Sequence, residues 1–142
     1  KEFDVVILDP PAFTKSRNTI KQAIRGYKEI NLRGLKMVKK GGYFATCSCS
    51  HYMSEEQLKK TVLEAAHDAR RTLRQIEVRT QSSDHPILWN SDESYYLKFF
   101  IKLAISIADT AASYPLFPLF VPALSIACSM LLVVSTPNII GI

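Results

Sequence analysis

The sequence contains few cysteines and no recognisable targeting segment. Only Cys47, Cys49 and Cys128 are present among 142 residues, an odd number without the spacing of a disulfide scaffold. This usage indicates a reducing compartment, so we expect a cytoplasmic protein. The chain has no internal repeats, and no signal peptide precedes the strand-like run that starts at Phe3. Because this run begins without a lead-in, the sequence predicts a fragment of a longer protein.

Charged side chains are absent after Asp109. All 18 Lys and Arg residues and 12 of the 13 Asp and Glu residues lie in residues 1–103, which carry a net charge of +6. The basic excess permits a nucleic-acid partner, although a solvated basic surface is the commoner explanation. We therefore divide the chain into a domain over residues 1–103 and an apolar tail over residues 104–142, which is uncharged after Asp109.

The tail differs in pattern from the domain before it. Three prolines interrupt its first half, and residues 123–134 form an apolar run. Extended back to Phe117, this run only just reaches the length of a membrane-spanning helix, and no basic residues follow it. An unrelated appendage, such as a frameshift or read-through product, is the preferred interpretation, and a membrane anchor is the alternative.

Residues 1–103 alternate between strand-like and helix-like patterns. Strands are predicted over residues 3–8, 43–49, 73–80 and 96–103, with helices over about 19–39 and from 55 onward. The order β-α-β-α-β-loop-β predicts an α/β fold with flanking helices. The apolar first strand is typical of a parallel sheet that is buried on both faces.

Local signals set the expected ends of these elements. Asn18 is a predicted N-cap for the first helix, and Gly41 is expected at its left-handed C-terminal position. Ser54 and Gln57 have the spacing of a capping box at the start of the second helix. In the last strand, Lys98 and Lys102 alternate with apolar residues and are expected on a solvated face.

The segment Asp9-Pro10-Pro11-Ala12-Phe13 follows the first strand. The prolines end the strand and stiffen the backbone, so the Asp9 carboxylate is held at the edge where α/β sheets bind ligands. An acid, two prolines and an aromatic ring suit a planar, hydrogen-bonding ring such as a nucleobase. The simpler alternative is a carboxylate that caps nearby amides.

The segment Cys47-Ser48-Cys49-Ser50 ends the second predicted strand. If the two strands are parallel, this segment lies at the same sheet edge as Asp9. Cys47 is deeper in the strand and fits a small core residue, whereas Cys49 at the exit is better placed as a reactive thiolate. Two cysteines one residue apart, with only His51 nearby, form a poor zinc site, so no metal is expected.

Other polar residues admit two interpretations each. His51 fits a base or proton shuttle, or a solvated histidine. Asp84-His85-Pro86 fits a site loop or a turn. Arg25 and Lys28 beside Tyr27 fit contacts to backbone phosphates, or a core tyrosine with solvated neighbours.

Taken together, these motifs resemble those of a known family. The segments quoted above, with Arg25-Gly26-Tyr27-Lys28-Glu29-Ile30-Asn31, Gly41-Gly42 and Tyr96-Leu97-Lys98, occur in the order found in bacterial 23S ribosomal RNA (cytosine-5) methyltransferases. These enzymes are class I, S-adenosylmethionine-dependent methyltransferases with a Rossmann-like catalytic domain and an RNA-binding PUA domain. The resemblance covers about residues 1–103 and implies the C-terminal half of the catalytic domain.

The resemblance also implies roles for individual residues. The family's nucleophile is the cysteine of a Ser-Cys-Ser segment, which here is Cys49, and its Asp-Pro-Pro motif is Asp9, Pro10 and Pro11. Asp9 is thus an expected catalytic residue, and it lines the cofactor site with the two prolines. Phe13, Arg25, Tyr27 and Lys28 are the expected contacts to ribosomal RNA.

One departure from the family limits these expectations. The glycine-rich turn and the acidic residue that hold the methyl donor belong to strands expected before Lys1. We therefore expect that the isolated chain binds S-adenosylmethionine poorly and does not turn over. Two alternatives are an N-methyltransferase that acts on guanine or adenine, and a non-catalytic, membrane-associated remnant.

Overall fold

A computed structural model describes residues 2–14, 16–106 and 130–134. These residues form five strands, two α-helices and two short 3-10 helices at Arg17–Thr19 and Asp92–Ser94. In chain order the main elements are β1 (Phe3–Asp9), α1 (Ile20–Met37), β2 (Val38–Ser48), α2 (Glu55–Asp68), β3 (Arg71–Arg79), β4 (Lys98–Ser106) and β5 (Met130–Val134). The α/β class predicted from the sequence is confirmed.

All five strands belong to one sheet, in the order β3-β4-β2-β1-β5. Only β1 and β2 are parallel, and the other three pairs are antiparallel. The two helices pack on each other and on the sheet, where Tyr27, Leu35, Phe44, Leu58 and Phe100 belong to the buried core. The parallel pair brings the ends of β1 and β2 to the same edge of the sheet, as predicted.

The first helix is shorter than predicted and ends differently. It starts one residue late, after Thr19, and ends at Met37 because Val38 is already extended and pairs with Phe3 of β1. Gly41 does have a left-handed conformation, with φ of 75°, but it lies inside β2. There the pairing of β1 and β2 is irregular, so a glycine is required by a bulge rather than by a helix end.

The second helix begins as predicted. The Ser54 hydroxyl accepts a hydrogen bond from the Gln57 amide at 3.1 Å, and the Gln57 side chain accepts one from the Ser54 amide at 3.2 Å. This reciprocal pair satisfies two amides that have no partner within the helix. The capping box is thus confirmed.

The expectation for β4 was wrong. Lys98 and Lys102 are only 1% and 3% exposed, and they share a strand face with the core residue Phe100. This face of β4 lies near α2, whose Glu55 and Lys59 are close enough to Lys98 and Lys102 to shift the pKa values of the two lysines. Both lysines are therefore buried, although the alternation of polar and apolar residues along β4 predicts that they are solvated.

The predicted boundary at residue 103 falls inside a strand. β4 continues to Ser106, with Ala104 and Ile105 buried. Residues 130–134 form β5, which pairs with the outer edge of β1 and was not predicted. The rest of the predicted membrane segment lies outside the described residues. Among the residues that are described, no helix combines the length and the apolar character needed to cross a membrane.

Candidate active site

The Asp9 carboxylate lies at the end of β1 and accepts a hydrogen bond from a cysteine of β2. The Cys47 thiol donates a hydrogen bond to Asp9 Oδ1 at 2.9 Å, and its sulfur is 3.6 Å from the Leu8 carbonyl oxygen. The pair forms because Leu8 and Thr46 are in register in the parallel ladder, which brings the next residues of both strands together. Cys47 is fully buried. Its packing agrees with the interpretation of Cys47 as a core residue.

Cys49 is half-buried and lies one residue beyond the end of β2. The residues on both sides of it are fixed by hydrogen bonds. The Ser48 hydroxyl is 2.8 Å from the Tyr27 hydroxyl of α1, and the Ser50 hydroxyl donates to the Thr14 carbonyl at 3.0 Å. The backbone of Cys49 is thereby held between α1 and the loop that follows β1.

A buried lysine also contacts the segment around Cys49, although the sequence pattern predicts that this lysine is solvated. The Lys98 ammonium donates to the Ser50 carbonyl at 2.6 Å and to the Tyr96 carbonyl at 2.9 Å. Burial lowers the pKa of Lys98 to about 8, although negative charge on Cys49 and Glu55 opposes this shift. The sequence did contain a signal that could have pointed to Lys98, because Tyr96-Leu97-Lys98 is one of the segments that resemble the methyltransferase family.

The residues expected to bind RNA differ in their exposure and in their contacts. Phe13, 37% exposed, and the exposed Arg25 lie on the surface, and the Phe13 ring stands edge-on to Tyr27 with centroids 4.7 Å apart. Lys28 is paired with Asp68 of α2 at 2.9 Å. Tyr27 is fully buried, so its ring has no surface for a direct RNA contact, and burial raises its pKa above the ordinary 10.0. For Tyr27 the core interpretation is the correct one.

The remaining candidates lie near the edge of this region. His51 is exposed, with its ring 3.8 Å from that of Tyr52. Both line an open cleft of about 580 Å³ together with Arg17, Ile20, Asp92 and Glu93. In the loop before β4, Asp84 accepts a hydrogen bond from Ser82, and the exposed His85 lies edge-on to Tyr96 at 6.4 Å. The structure does not bring His85 to Asp9.

The described residues supply only one side of a site for S-adenosylmethionine. Asp9, the buried Pro10 and the exposed Pro11 are at the sheet edge as expected. The described glycines lie within α1 or β2, so the described part of the chain contains no glycine-rich turn between a strand and a helix, the element that cradles such cofactors. The residues present therefore do not make up a whole cofactor site.

No group of three or more His, Cys, Asp or Glu side chains within the described ranges is arranged to hold a metal ion. The expectation that no metal takes part stays a prediction.

Solved structures share this arrangement of strands and helices. A candidate methyltransferase crystallised with SAH matches 72% of this chain and 26% of its own, with a TM-score of 0.59 and 20% identity. A candidate SAM-dependent methyltransferase from Streptococcus mutans matches 72% of this chain and 25% of its own, with a TM-score of 0.59 and 21% identity. The described chain thus has a methyltransferase fold.

Sequence relatives narrow this class to a family. The ribosomal RNA large subunit methyltransferase I of Alteromonas mediterranea is 48% identical over 98 residues, which is 69% of this chain and 25% of that protein. The protein of the same name from Shewanella frigidimarina is 44% identical over 98 residues, again 69% of this chain and 25% of its own length. No protein-family model matches the chain. The chain belongs to the ribosomal RNA large subunit methyltransferases and spans about a quarter of the length of these curated relatives.

Proposed function

We propose that this chain is the base-binding and nucleophile-bearing part of an S-adenosylmethionine-dependent methyltransferase that acts on large-subunit ribosomal RNA. The names of its relatives support the substrate class. The observation that carries the proposal is the meeting of Asp9 and the Cys49 segment at one edge of the β1–β2 pair. A carboxylate and a half-buried cysteine at this edge suit a reaction on a nucleobase.

The finer part of the proposal is methylation at C5 of cytosine. Carbon C5 is a weak nucleophile until a group adds at C6. The Cys49 thiolate forms a bond from sulfur to C6, and the electron pair of the C5–C6 double bond moves to C5 and into the ring. Asp9 accepts hydrogen bonds from the N3/N4 edge of the ring. These hydrogen bonds favour the protonated form of the ring at this edge as negative charge develops on the ring.

The chain's part in the second half of the reaction is to release the product. S-adenosylmethionine, when bound, supplies the methyl group from a sulfonium centre. Removal of the C5 proton by a base returns the electron pair to the C5–C6 bond, the C6–sulfur bond breaks, and Cys49 leaves as a thiolate. This sequence of bonds requires only one cysteine, and Cys49 rather than Cys47 is proposed because the Cys47 thiol is buried against Asp9.

The surface around this edge supports an RNA substrate. The target base has to be unstacked to reach Cys49, and the exposed Phe13 ring provides a surface on which it can stack. The exposed Arg25 on α1 suits a phosphate contact. We place the proposed enzyme in the cytoplasm, where ribosomal RNA and reduced thiols occur together.

The test is a chimera in which this chain's matching segment replaces that of the Alteromonas mediterranea relative. The chimera is expected to methylate ribosomal RNA and to form a covalent complex with RNA that carries 5-fluorocytidine, because fluorine blocks loss of the group at C5. Cys49→Ala should abolish both activities, by at least about a thousandfold. Cys47→Ala is the matched control and should retain most of the methyl transfer.

Other outcomes assign other functions. Near-normal methylation by the Cys49→Ala chimera would instead support N-methylation of guanine or adenine, which needs the Asp9 carboxylate and no nucleophile. The 142-residue chain alone is expected to show no methyl transfer, because the described residues form only part of a cofactor site. Partition of that chain into membranes, lost on deletion of residues 107–142, would favour the membrane-associated alternative.

A further inference from the structure

Lys98 is a buried cation whose direct partners are neutral. Its ammonium donates to the carbonyls of Ser50 and Tyr96, and its side chain is 1% exposed. Within the described residues no carboxylate lies at ion-pair distance from it. A buried ammonium is costly unless negative charge stands nearby. The buried ammonium therefore favours the ionised form of any acidic group within contact distance of it.

Several titratable groups surround this position. Glu55 of α2 accepts a hydrogen bond from the Tyr95 hydroxyl at 2.9 Å, and burial is the main reason that the pKa of Tyr95 rises to about 12. Tyr27 of α1 faces the segment from the other side through Ser48. Asp9 and Cys47 form their own pair at the end of β1. Cys49 is next to the Ser50 carbonyl that Lys98 holds, and its negative charge and that of Glu55 both act to raise the pKa of Lys98.

We propose that Lys98 is a positioning residue for Cys49, which fixes the Ser50 carbonyl and stabilises the thiolate over the thiol. The proposal rests on the proposed role of Cys49 as the nucleophile. The strand register supports it, because Lys98 of β4 pairs with Ser48, the residue directly before Cys49. A lysine beside a partly exposed cysteine is a known means of raising its thiolate fraction. The proton released on ionisation of Cys49 passes to solvent.

The same strand provides a matched control. Lys102 lies four residues further along β4 on the same face, is also buried, and also has a pKa lowered by burial to about 8. Its ammonium stands over the Phe100 ring at 4.7 Å, and the nearby charge that lowers its pKa further is Lys59 rather than a thiolate. Lys102 thus has the burial and charge of Lys98 without the Ser50 contact.

The experiment measures iodoacetamide alkylation of Cys49 in the 142-residue chain as a function of pH, with each cysteine followed separately by mass spectrometry. Lys98→Met should raise the pH of half-maximal alkylation by about one unit and slow alkylation at pH 7 about tenfold. Lys98→Arg should restore the wild-type profile, and Lys102→Met should leave it unchanged. Identical profiles for wild type and a folded Lys98→Met variant would overturn the proposal.

A second measurement needs no change at Lys98, so it stands even if Lys98→Met does not fold. By reciprocity, the Cys49 thiolate raises the pH at which Lys98 loses its proton. Cys49→Ala should therefore lower the midpoint of Lys98 titration followed by NMR of the lysine side chains, whereas Cys47→Ala should not. Equal midpoints in both variants would contradict the proposal. Both readouts are independent of RNA, so loss of the proposed methyl transfer and loss of this coupling are separate results.

Discussion

Cys47 and Cys49 are two residues apart at the end of one strand, yet their surroundings have opposite charge. Cys47 is fully buried, and its thiol donates a hydrogen bond to the Asp9 carboxylate at 2.9 Å. Cys49 is half-buried and adjoins the Ser50 carbonyl that is held by the Lys98 ammonium at 2.6 Å. An adjacent carboxylate disfavours a thiolate and an adjacent ammonium favours it. This difference in environment is the basis for proposing Cys49 rather than Cys47 as the reactive thiol.

The largest expected effect is a difference in chemical reactivity between the two thiols. In the folded 142-residue chain at pH 7.5, iodoacetamide should modify Cys49 about a thousandfold faster than Cys47, because Cys47 is both buried and bonded to an anion. Peptide mass spectrometry over a time course gives both rates. Equal rates in the native chain would remove the basis of the comparison, and equal rates in urea serve as the control.

The two buried lysines of β4 should also make the free energy of unfolding depend on pH. The pKa of Lys98 and that of Lys102 are each about 8, below the ordinary 10.5, chiefly because of burial. Between pH 8 and pH 10.5 the two lysines are protonated in the unfolded chain but have lost their protons in the folded chain. The free energy of unfolding therefore rises as the pH increases through this range. The thermal midpoint should be about 5 °C higher at pH 10 than at pH 8.

The control for this pH dependence is Lys102→Met, which should be more stable than wild type at pH 8 and show a flatter slope. It leaves the Lys98 contact to Ser50 unchanged. A slope identical to that of wild type would contradict the assignment of the dependence to buried lysines.

A smaller effect is expected from removing the anion beside Cys47. Asp9→Asn preserves the shape of the side chain but removes its charge, so ionisation of Cys47 should be easier. Alkylation of Cys47 should rise about tenfold, and that of Cys49 should change less than about twofold. If both rates rose together, general loosening of the sheet edge would explain the result instead.

The smallest effect concerns the support beneath both cysteines. Tyr27→Phe removes the buried hydrogen bond to Ser48 at 2.8 Å and should lower the free energy of unfolding by about 1 kcal/mol. Chemical denaturation of Tyr27→Phe, Ser48→Ala and the double variant measures the coupling between the two side chains. A coupling energy near zero would show that this contact does not hold the Cys49 segment.

Local sequence signals predicted some features well because their physical causes are local. The capping box of Ser54 and Gln57 needs only a helix start, and the prolines after Asp9 end a strand in any context. The positive φ of Gly41 was also predictable, but its role was not, because a helix end and a strand bulge both call for glycine there. Competition between helix and sheet over Val38 is decided by its pairing with β1.

The errors occur where distant parts of the chain meet. Lys98 and Lys102 have a pattern typical of solvated residues, but they are buried because they share the face of β4 that carries the core residue Phe100. Tyr27 was predicted to contact RNA, and its burial follows from packing between α1 and the sheet. The predicted tail contributes β5 to the edge of β1, and this pairing joins residues from opposite ends of the chain, so no local sequence signal indicates it.

The sequence by itself determined the class of the fold, the family, and the two segments that carry the proposed chemistry, because these depend on motifs with local physical causes. Only the tertiary structure decided how the two cysteines differ. Asp9 is 38 residues from Cys47, and Lys98 is 48 residues from Ser50, so neither charge can be assigned to its neighbour along the chain. Pairing of β2 with β1 on one side and with β4 on the other brings an anion to one thiol and a cation beside the other.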